Sequence, residues 1–363
     1  MPEPLRVAIV LPRHMRFSRR GATSIDLVAH DLLLFSRHRA SSVVVAEWVE
    51  EPFPDMPVVS FTRWPWEPHA VLGWRLGQLV KARQPDVVVV HQHLPIASMV
   101  ARIAAPVPVF LHFHGWPKPP RNAFDRWRRG RRYRRFAGMM VVSDACRDAF
   151  VNSWGDLIPL HVVRNALDMA AWQPVLDRDK TIVLAARMSP EKCVLEVAEA
   201  LAKCLPRLPG WRAVIFAAMV DKFPDYAEAV SRTLSPLGEA VDLRFDRPHS
   251  EVKAEFERAA IALFPRKGDE PFGRVAIEAF AGGAALVASP GGGLREVIGD
   301  AAFPLAAPTP EDIAQAIGTL AQDDVLRAEV ARKGRERAAG FDIRTAAAAY
   351  DGLLEAAAAS RRG

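Results

Sequence analysis

Two carboxylates, Glu270 and Glu278, flank a turn-like Pro-Phe-Gly in "GDEPFGRVAIEAFAGG", residues 268–283. A carboxylate accepts hydrogen bonds from sugar hydroxyls, and a glycine in such a turn lets backbone amides come close to a ligand. Upstream, Arg187 closes an apolar run and "MSPEK" follows. Ser189 reads as an N-cap and Pro190 as the first helical residue, so a guanidinium, the Lys192 ammonium and unpaired helix amides meet on one spot. That set suits a diphosphate; ordinary surface charges are the alternative for both residues. A third group is His91, His93, His112 and His114, two H-x-H pairs at successive strand ends. Strand alternation puts each pair on one face, as metal ligands require. No carboxylate accompanies them, and pocket histidines are the preferred reading over a metal-dependent hydrolase.

The elements that must hold these residues are short apolar runs alternating with helical stretches. The first half has "LRVAIVLP", "SSVVVAEW", "MPVVSF", "PDVVVVHQH", "VPVFLHFH" and "GMMVVS"; the second has "KTIVLAAR", "WRAVIFAA", "VDLRF", "AIALFP" and "AALVASP". Helical periodicity separates them, over residues 189–206 and 309–340 for example. Continuous rather than alternating apolar strands mean sheets covered on both faces, the α/β parallel signature. In such sheets ligands sit beyond the carboxyl ends of strands, where the candidate residues fall. Neither G-x-G-x-x-G nor G-x-x-x-x-G-K-[ST] occurs, so phosphate must be held in another way.

At 363 residues the chain exceeds one comfortable core. Two doubly wound domains facing across a cleft are expected: 1–170 and 171–341, with 342–363 a helix capped by Asp342. Three cysteines without C-x-x-C spacing argue against a disulfide framework or a structural zinc site, and for a reducing compartment. No run resembles a signal h-region or a membrane span, so a cytoplasmic protein is expected. The net charge of +6 points to an anionic partner.

"EPFGRVAIEAFAGGAALVAS" resembles the E-x-x-x-x-x-x-x-E segment of the retaining GT-B glycosyltransferases of family 4. "AARMSPEK" resembles their phosphate loop, "VVRNALDMAAWQP" the stretch before their domain crossover, and "VVSDACRDAF" the strand-Ser-helix step before that. "HFHGW" resembles their His-Gly loop and "SPGGGLREVIGD" their Gly-Gly-x-x-Glu loop. The resemblance implies GT-B architecture, two Rossmann-like domains and a metal-independent enzyme with no cofactor beyond its nucleotide-diphosphate sugar donor. It implies Arg187 and Lys192 on the diphosphate, Glu278 on the ribose, and Glu270 with the amides of Phe272, Gly273, Arg274 and Val275 on the sugar. His114 would lie beside the sugar, Arg274 beside the sugar loop, and Gly21 at the phosphate from the first domain. The reacting set would be His114, Glu270, Arg187 and Lys192, acting by front-face displacement. The final helix would pack back on the first domain. Several family glycines are replaced: Ala166, Ala186 and Cys193, the end of "AVIFAAM", and the region from Asp246 to Pro248.

"RNAFDRWRRGRRYRRFAG", residues 121–138, carries eight arginines interleaved with Phe124, Trp127, Tyr133 and Phe136. An anionic membrane surface is the expected partner, with aromatics inserted and arginines at headgroups, placing the first domain beside a lipid-linked or glycan acceptor. A solvated basic helix is the plain alternative; nucleic acid is not expected, since no binding fold for it accompanies the segment. Arg13, His14, Arg16, Arg19 and Arg20 follow the first strand and offer charge to a phosphorylated or acidic acceptor. Trp64, Trp66 and Trp74 suit either an acceptor wall or the core; core packing is expected and no role is assigned. The activity expected is transfer of a hexose, mannose for instance, in envelope polysaccharide or lipopolysaccharide assembly. A GT-B nucleotide-sugar epimerase and a silent nucleotide- or lipid-binding protein are the alternatives.

Overall fold

The computed structural model describes residues 3–12, 15–19 and 21–362, the Arg362 side chain excepted. The chain divides into two compact units, Met1–Ala166 with Ile343–Gly363, and Leu167–Asp342. The first runs β1 (Val7–Leu11), α1 (Ser24–Leu34), β2 (Val43–Glu47), β3 (Val58–Phe61), α2 (His69–Lys81), β4 (Val87–His91), α3 (Leu94–Ala104), β5 (Val109–Phe113), α4 (Ala123–Tyr133), β6 (Gly138–Val141), α5 (Asp144–Trp154) and β7 (Leu160–Val162). Its strands pair all-parallel in the order β3-β2-β1-β4-β5-β6-β7. β1 and β4 are buried at every position, as continuous apolar strands between two helix layers must be.

The second unit runs β8 (Asp179–Arg187), α6 (Val194–Cys204), β9 (Arg212–Ala218), α7 (Pro224–Leu234), β10 (Val241–Phe245), α8 (His249–Phe256), β11 (Ala259–Phe264), α9 (Arg274–Ala281), β12 (Ala285–Ala288), α10 (Leu294–Ile298), β13 (Phe303–Pro304), α11 (Pro310–Gln322) and α12 (Asp324–Ala338). Its parallel order is β10-β9-β8-β11-β12-β13. Both sheets thus reverse their winding beside their first strand, between β1 and β4 and between β8 and β11. A reversal of this kind leaves a crevice outside the carboxyl ends of those two strands.

Two helical expectations need correction. The run 309–340 is two helices, broken at Asp323, whose carboxylate accepts from Leu326 N–H at 2.9 Å and so caps α12. The run 189–206 is a 3-10 turn, Pro190–Lys192, separated from α6 by Cys193 in the left-handed region at φ 53°. Lys192 therefore belongs to a tight turn rather than to the first turn of an α-helix. Ser189 precedes that turn without a side-chain cap.

The last helix, α13 (Ile343–Arg362), joins the first unit. Tyr350, Leu354 and Ala358 enter the same core as Val7, Ile9 and Leu11 of β1. Asp351 accepts from Ser36 Oγ at 2.6 Å and from Arg37 N–H at 2.9 Å, and Glu355 pairs with Arg37 at 2.9 Å. On the other helices of this unit, Gly73 and Gly77 of α2 face α3; a Cβ at Gly77 would meet Ile103 Cβ at 2.6 Å.

Candidate functional site

In the second unit the reversal between β8 and β11 gathers most of the expected residues. Arg187 ends β8 with its side chain exposed and pairs with Glu191 at 3.3 Å. Lys192 is nearly buried, its ammonium 2.8 Å from Glu270 Oε2 and 5.2 Å from the centre of the Phe264 ring. Burial pushes the Lys192 pKa down, Glu270 opposes that, and Arg266 and Arg187 add to the lowering. The sequence reading gave Lys192 and Glu270 to different parts of a ligand; the structure makes them direct partners.

Arg266, just past β11, was missed. It reaches the same Glu270 oxygen at 2.5 Å and donates to the Asp269 carbonyl at 2.8 Å. The only signal was its place at a strand end. Three cations, Arg187, Lys192 and Arg266, thus surround a spot with Glu270 as local counter-ion, an arrangement that a diphosphate can enter.

The loop holding Glu270 is set by glycine. Gly273 has φ 94°, and a Cβ there would meet Leu294 Cδ1 at 2.6 Å, so only glycine fits. Glu270 bridges to Gly292, and Gly293 N–H donates to the Glu270 carbonyl at 2.8 Å, which docks the "SPGGGLREVIGD" loop against it. Phe272 is buried edge-on to Phe341, with ring centres 5.8 Å apart. Gly273 gives α9 no side-chain cap, so the start of the helix presents its positive end beside Glu270.

Glu278, one turn into α9, is 3% exposed. Its Oε1 meets Arg274 Nε and His249 Nε2, each at 3.0 Å. Burial disfavours its charge, but His249 and Arg274 outweigh that and hold its pKa below the usual carboxylate range. Arg274 is itself buried and is a partner of Glu278. Val275 is half-buried in the first turn of α9. His249 was also missed; it opens α8 without any flanking motif.

In the first unit the corresponding reversal, between β1 and β4, carries Gly21 and the histidines. Gly21 has φ 72° in the loop after β1. Arg13, His14 and Arg20 of that loop lie outside the described residues. His91 and His112 are register partners on β4 and β5, and His91 Nδ1 lies 2.9 Å from His114 Nε2. The three rings offer ligand atoms within 4.8 Å of one another, and both His112 nitrogens are buried without a partner. Burial pushes all three below the ordinary imidazole value, His112 to about 3, so the cluster is neutral at pH 7. The expected H-x-H pairing fails at His93. Gln92 and His93 have φ 56° and 48°, which ends the alternation and turns His93 onto His69.

Two further expectations change. Tyr133 and Phe136 are buried in the core, so the aromatic surface of α4 is Phe124 and Trp127, stacked at 5.7 Å with Arg131 over Trp127 at 5.2 Å. Trp64, Trp66 and Trp74 are exposed, not core. α2 buries Leu72, Leu76 and Val80 on its inner face, which leaves Trp74 outside.

The family model for "Glycosyl transferases group 1" matches residues 170–337 and that for "Glycosyltransferase Family 4" residues 24–171. An exopolysaccharide phosphotransferase from Streptomyces coelicolor is 32% identical over 56% of this chain, which spans only 21% of that relative's length. A phosphatidyl-myo-inositol mannosyltransferase from Mycolicibacterium smegmatis is 28% identical, over 71% of this chain and 67% of its own. The structure of Anabaena HepE in complex with UDP and glucose superposes with a TM-score of 0.79 at 19% identity, covering 97% of this chain and 99% of that one. No helix among the described residues is long and apolar enough to cross a membrane. With two family models laid end to end over its two Rossmann-like units, the chain belongs to the group 1 glycosyltransferases of GT-B fold.

Proposed function

We propose that the chain transfers a hexose, with retention of anomeric configuration and without a metal, from a nucleotide-diphosphate donor to a glycan or lipid-linked acceptor of envelope polysaccharide or lipopolysaccharide assembly. The observation that carries the donor reading is the gathering of Arg187, Lys192, Arg266 and Glu270 at the β8/β11 reversal, beside the uncapped start of α9. HepE, which shares the fold, was solved with UDP and glucose, and the inositol-lipid relative is a mannosyltransferase; both fit a hexose donor.

In this reading the acceptor oxygen bonds to the anomeric carbon as the bond to the diphosphate breaks, and the acceptor proton passes to the departing phosphate oxygen. Arg187, Lys192 and Arg266 stabilise the charge that develops there, together with helix amides. Glu270 and the amides of Phe272, Gly273, Arg274 and Val275 hold the sugar, Glu278 the ribose. His114 of the first unit contributes to turnover, and Gly21 keeps a backbone approach open there.

Calorimetry against UDP, GDP, ADP and their sugars tests this directly. One diphosphate should bind selectively and more weakly in Lys192→Ala and Glu278→Ala. Lys192→Ala should lower turnover by about 10²–10³-fold, as loss of a positioned charge does. Glu270 keeps Arg266 as a partner in that variant, so stability should change little. Binding of no nucleotide, together with metal in chelator-free protein, would instead move the assignment to His91, His112 and His114. Sugar interconversion without acceptor would identify an epimerase, and donor binding without turnover on any acceptor a silent binding protein.

The same proposal gives α4 an anionic bilayer as partner, through Phe124, Trp127, Arg128 and Arg131. Wild type should float with anionic vesicles at moderate salt, and Phe124→Ala/Trp127→Ala should not.

A further inference from the structure

Beyond the carboxyl ends of β2 and β3, the first unit carries four exposed tryptophans. Trp48 follows β2 and donates its backbone N–H to the Phe61 carbonyl at the end of β3, at 2.8 Å. Trp64 and Trp66 follow β3, and Trp74 lies on α2. Trp48 is 64% and Trp66 98% exposed; Trp64 and Trp74 are about half exposed. Four large aromatics left in water between residues 48 and 74 exceed the scattered single exposures ordinary for a surface, and point to a binding surface.

One ring of the four, Trp64, is fixed in place. The Arg75 guanidinium lies 4.2 Å from the Trp64 ring centre and is itself held by Glu67 at 2.6 Å and by the Thr62 carbonyl at 3.1 Å. The Glu67 carboxylate is buried, and its Oε2 is without a partner. Pro65 and Pro68 bracket Trp66 and limit the freedom of the loop. Exposed aromatic faces suit a sugar, whose apolar C–H face lies on a ring; the buried Glu67 and the Arg75 it holds set the Trp64 ring in place rather than meeting the ligand.

Charge separates this occupant from a lipid surface. Between residues 47 and 75 stand Glu47, Glu50, Glu51, Asp55 and Glu67 against Arg63 and Arg75. An anionic bilayer would be repelled by that segment, whereas a neutral saccharide is not. Trp64 and Trp66 follow β3, three strands from β4 and about 14 Å away at ordinary strand spacing, while Trp48 follows β2, beside β1. A single sugar does not span from β4 to the end of β3, but a chain of several can.

We propose that Trp48, Trp64, Trp66 and Trp74 form a docking platform for a neutral polysaccharide, so that the acceptor is a glycan chain held at a distance from the sugar that reacts. The naming of the acceptor rests on the glycosyltransferase reading; the binding platform does not. The test is affinity electrophoresis of the full chain in gels containing dextran, glycogen or mannan, beside sedimentation with phosphatidylcholine–phosphatidylglycerol vesicles.

Wild type should be retarded by at least one polysaccharide. Trp48→Ala/Trp66→Ala should bind it about tenfold more weakly or less, the effect of losing aromatic contacts, while Trp66→Phe retains most of it. Lys192→Ala should be retarded like wild type, because Lys192 belongs to the other unit of the chain. Free migration in all three gels, or retardation unchanged in the double variant, overturns the proposal. Vesicle binding that depends on Trp48 and Trp66 overturns it in favour of a lipid surface. If polysaccharide binds and no nucleotide does, the donor reading fails and the platform stands; nucleotide binding with free migration gives the reverse.

Discussion

Asp26 and Glu278 are buried carboxylates with opposite consequences. Asp26 Oδ2 accepts from Thr23 N–H at 2.7 Å, Thr23 Oγ at 2.8 Å and Arg16 N–H at 3.1 Å, but Oδ1 is buried without a partner. Burial prevails, and its pKa rises from an ordinary 3.8 to about 6. The native state therefore binds more protons than the unfolded chain between those values, and stability falls as pH rises through that window. Asp26→Asn should flatten this decline, by about 2–3 kcal/mol across the window for a shift of this size, as read from denaturant midpoints against pH. Glu278 has the opposite sign: its pKa is held down by His249 and Arg274, so the stability it contributes is present above the ordinary glutamate range and lost as pH falls through its lowered value. Glu278→Gln leaves the buried Arg274 without its anionic partner and should destabilise by about 3 kcal/mol in urea melts, besides weakening donor binding.

Loops and helices show where the chain departs from its family without departing in shape. Cys193, Met219 and Asp246 fall where the family resemblance implies glycine, and all three are left-handed, at φ 53°, 62° and 45°. Asp246 Oδ1 accepts from Met219 N–H at 3.0 Å, so one strained residue props up the other. Met219→Gly should relieve the strain and raise stability by up to about 1 kcal/mol, a gain that thermal denaturation can resolve. The α2–α3 contact is the opposite case. There glycine is required by space, and Gly77→Ala drives a Cβ onto Ile103. It should cost about 1–3 kcal/mol, measured in the same melts, as overpacking does.

Across the molecule, the first unit is built from both ends of the chain. Ile343, Tyr350, Leu354 and Ala358 belong to the core under β1, and Asp351 ties α13 to Ser36 and Arg37. Truncation after Asp342 should expose that core and destabilise the first unit by several kcal/mol, since each large buried side chain is worth about 1.5–3 kcal/mol. The second unit, Leu167–Asp342, has its own core and should melt as before. Tryptophan fluorescence and calorimetry on the truncated chain would show one transition moved and the other kept.

Eleven of the thirteen strands among the described residues were legible because apolar runs in a parallel sheet are continuous and short; β7 and β13, of three and two residues, offer no such run. Arg187, Lys192, Glu270 and Glu278 were visible for a related reason: each sits at a strand end or in the helix that follows, and residue type with position suggests the chemistry. Ion pairing was not legible. That Lys192 meets Glu270, that Arg266 joins them, and that His249 and Arg274 close on Glu278 depends on β8 lying beside β11, and on α8 and α9 reaching that edge together. The H-x-H pairing and the fate of the tryptophans failed for a similar cause. Gln92 and His93 turn left-handed one residue past β4, and α2 spends its apolar face on α3, leaving Trp74 in water. The sequence by itself determined most of the strands, the parallel α/β class and the candidate residues at the strand ends, because those follow from composition and spacing along the chain. Only the tertiary structure decided which charges neutralise one another and which aromatics stay exposed, because burial and contact arise between segments far apart in sequence.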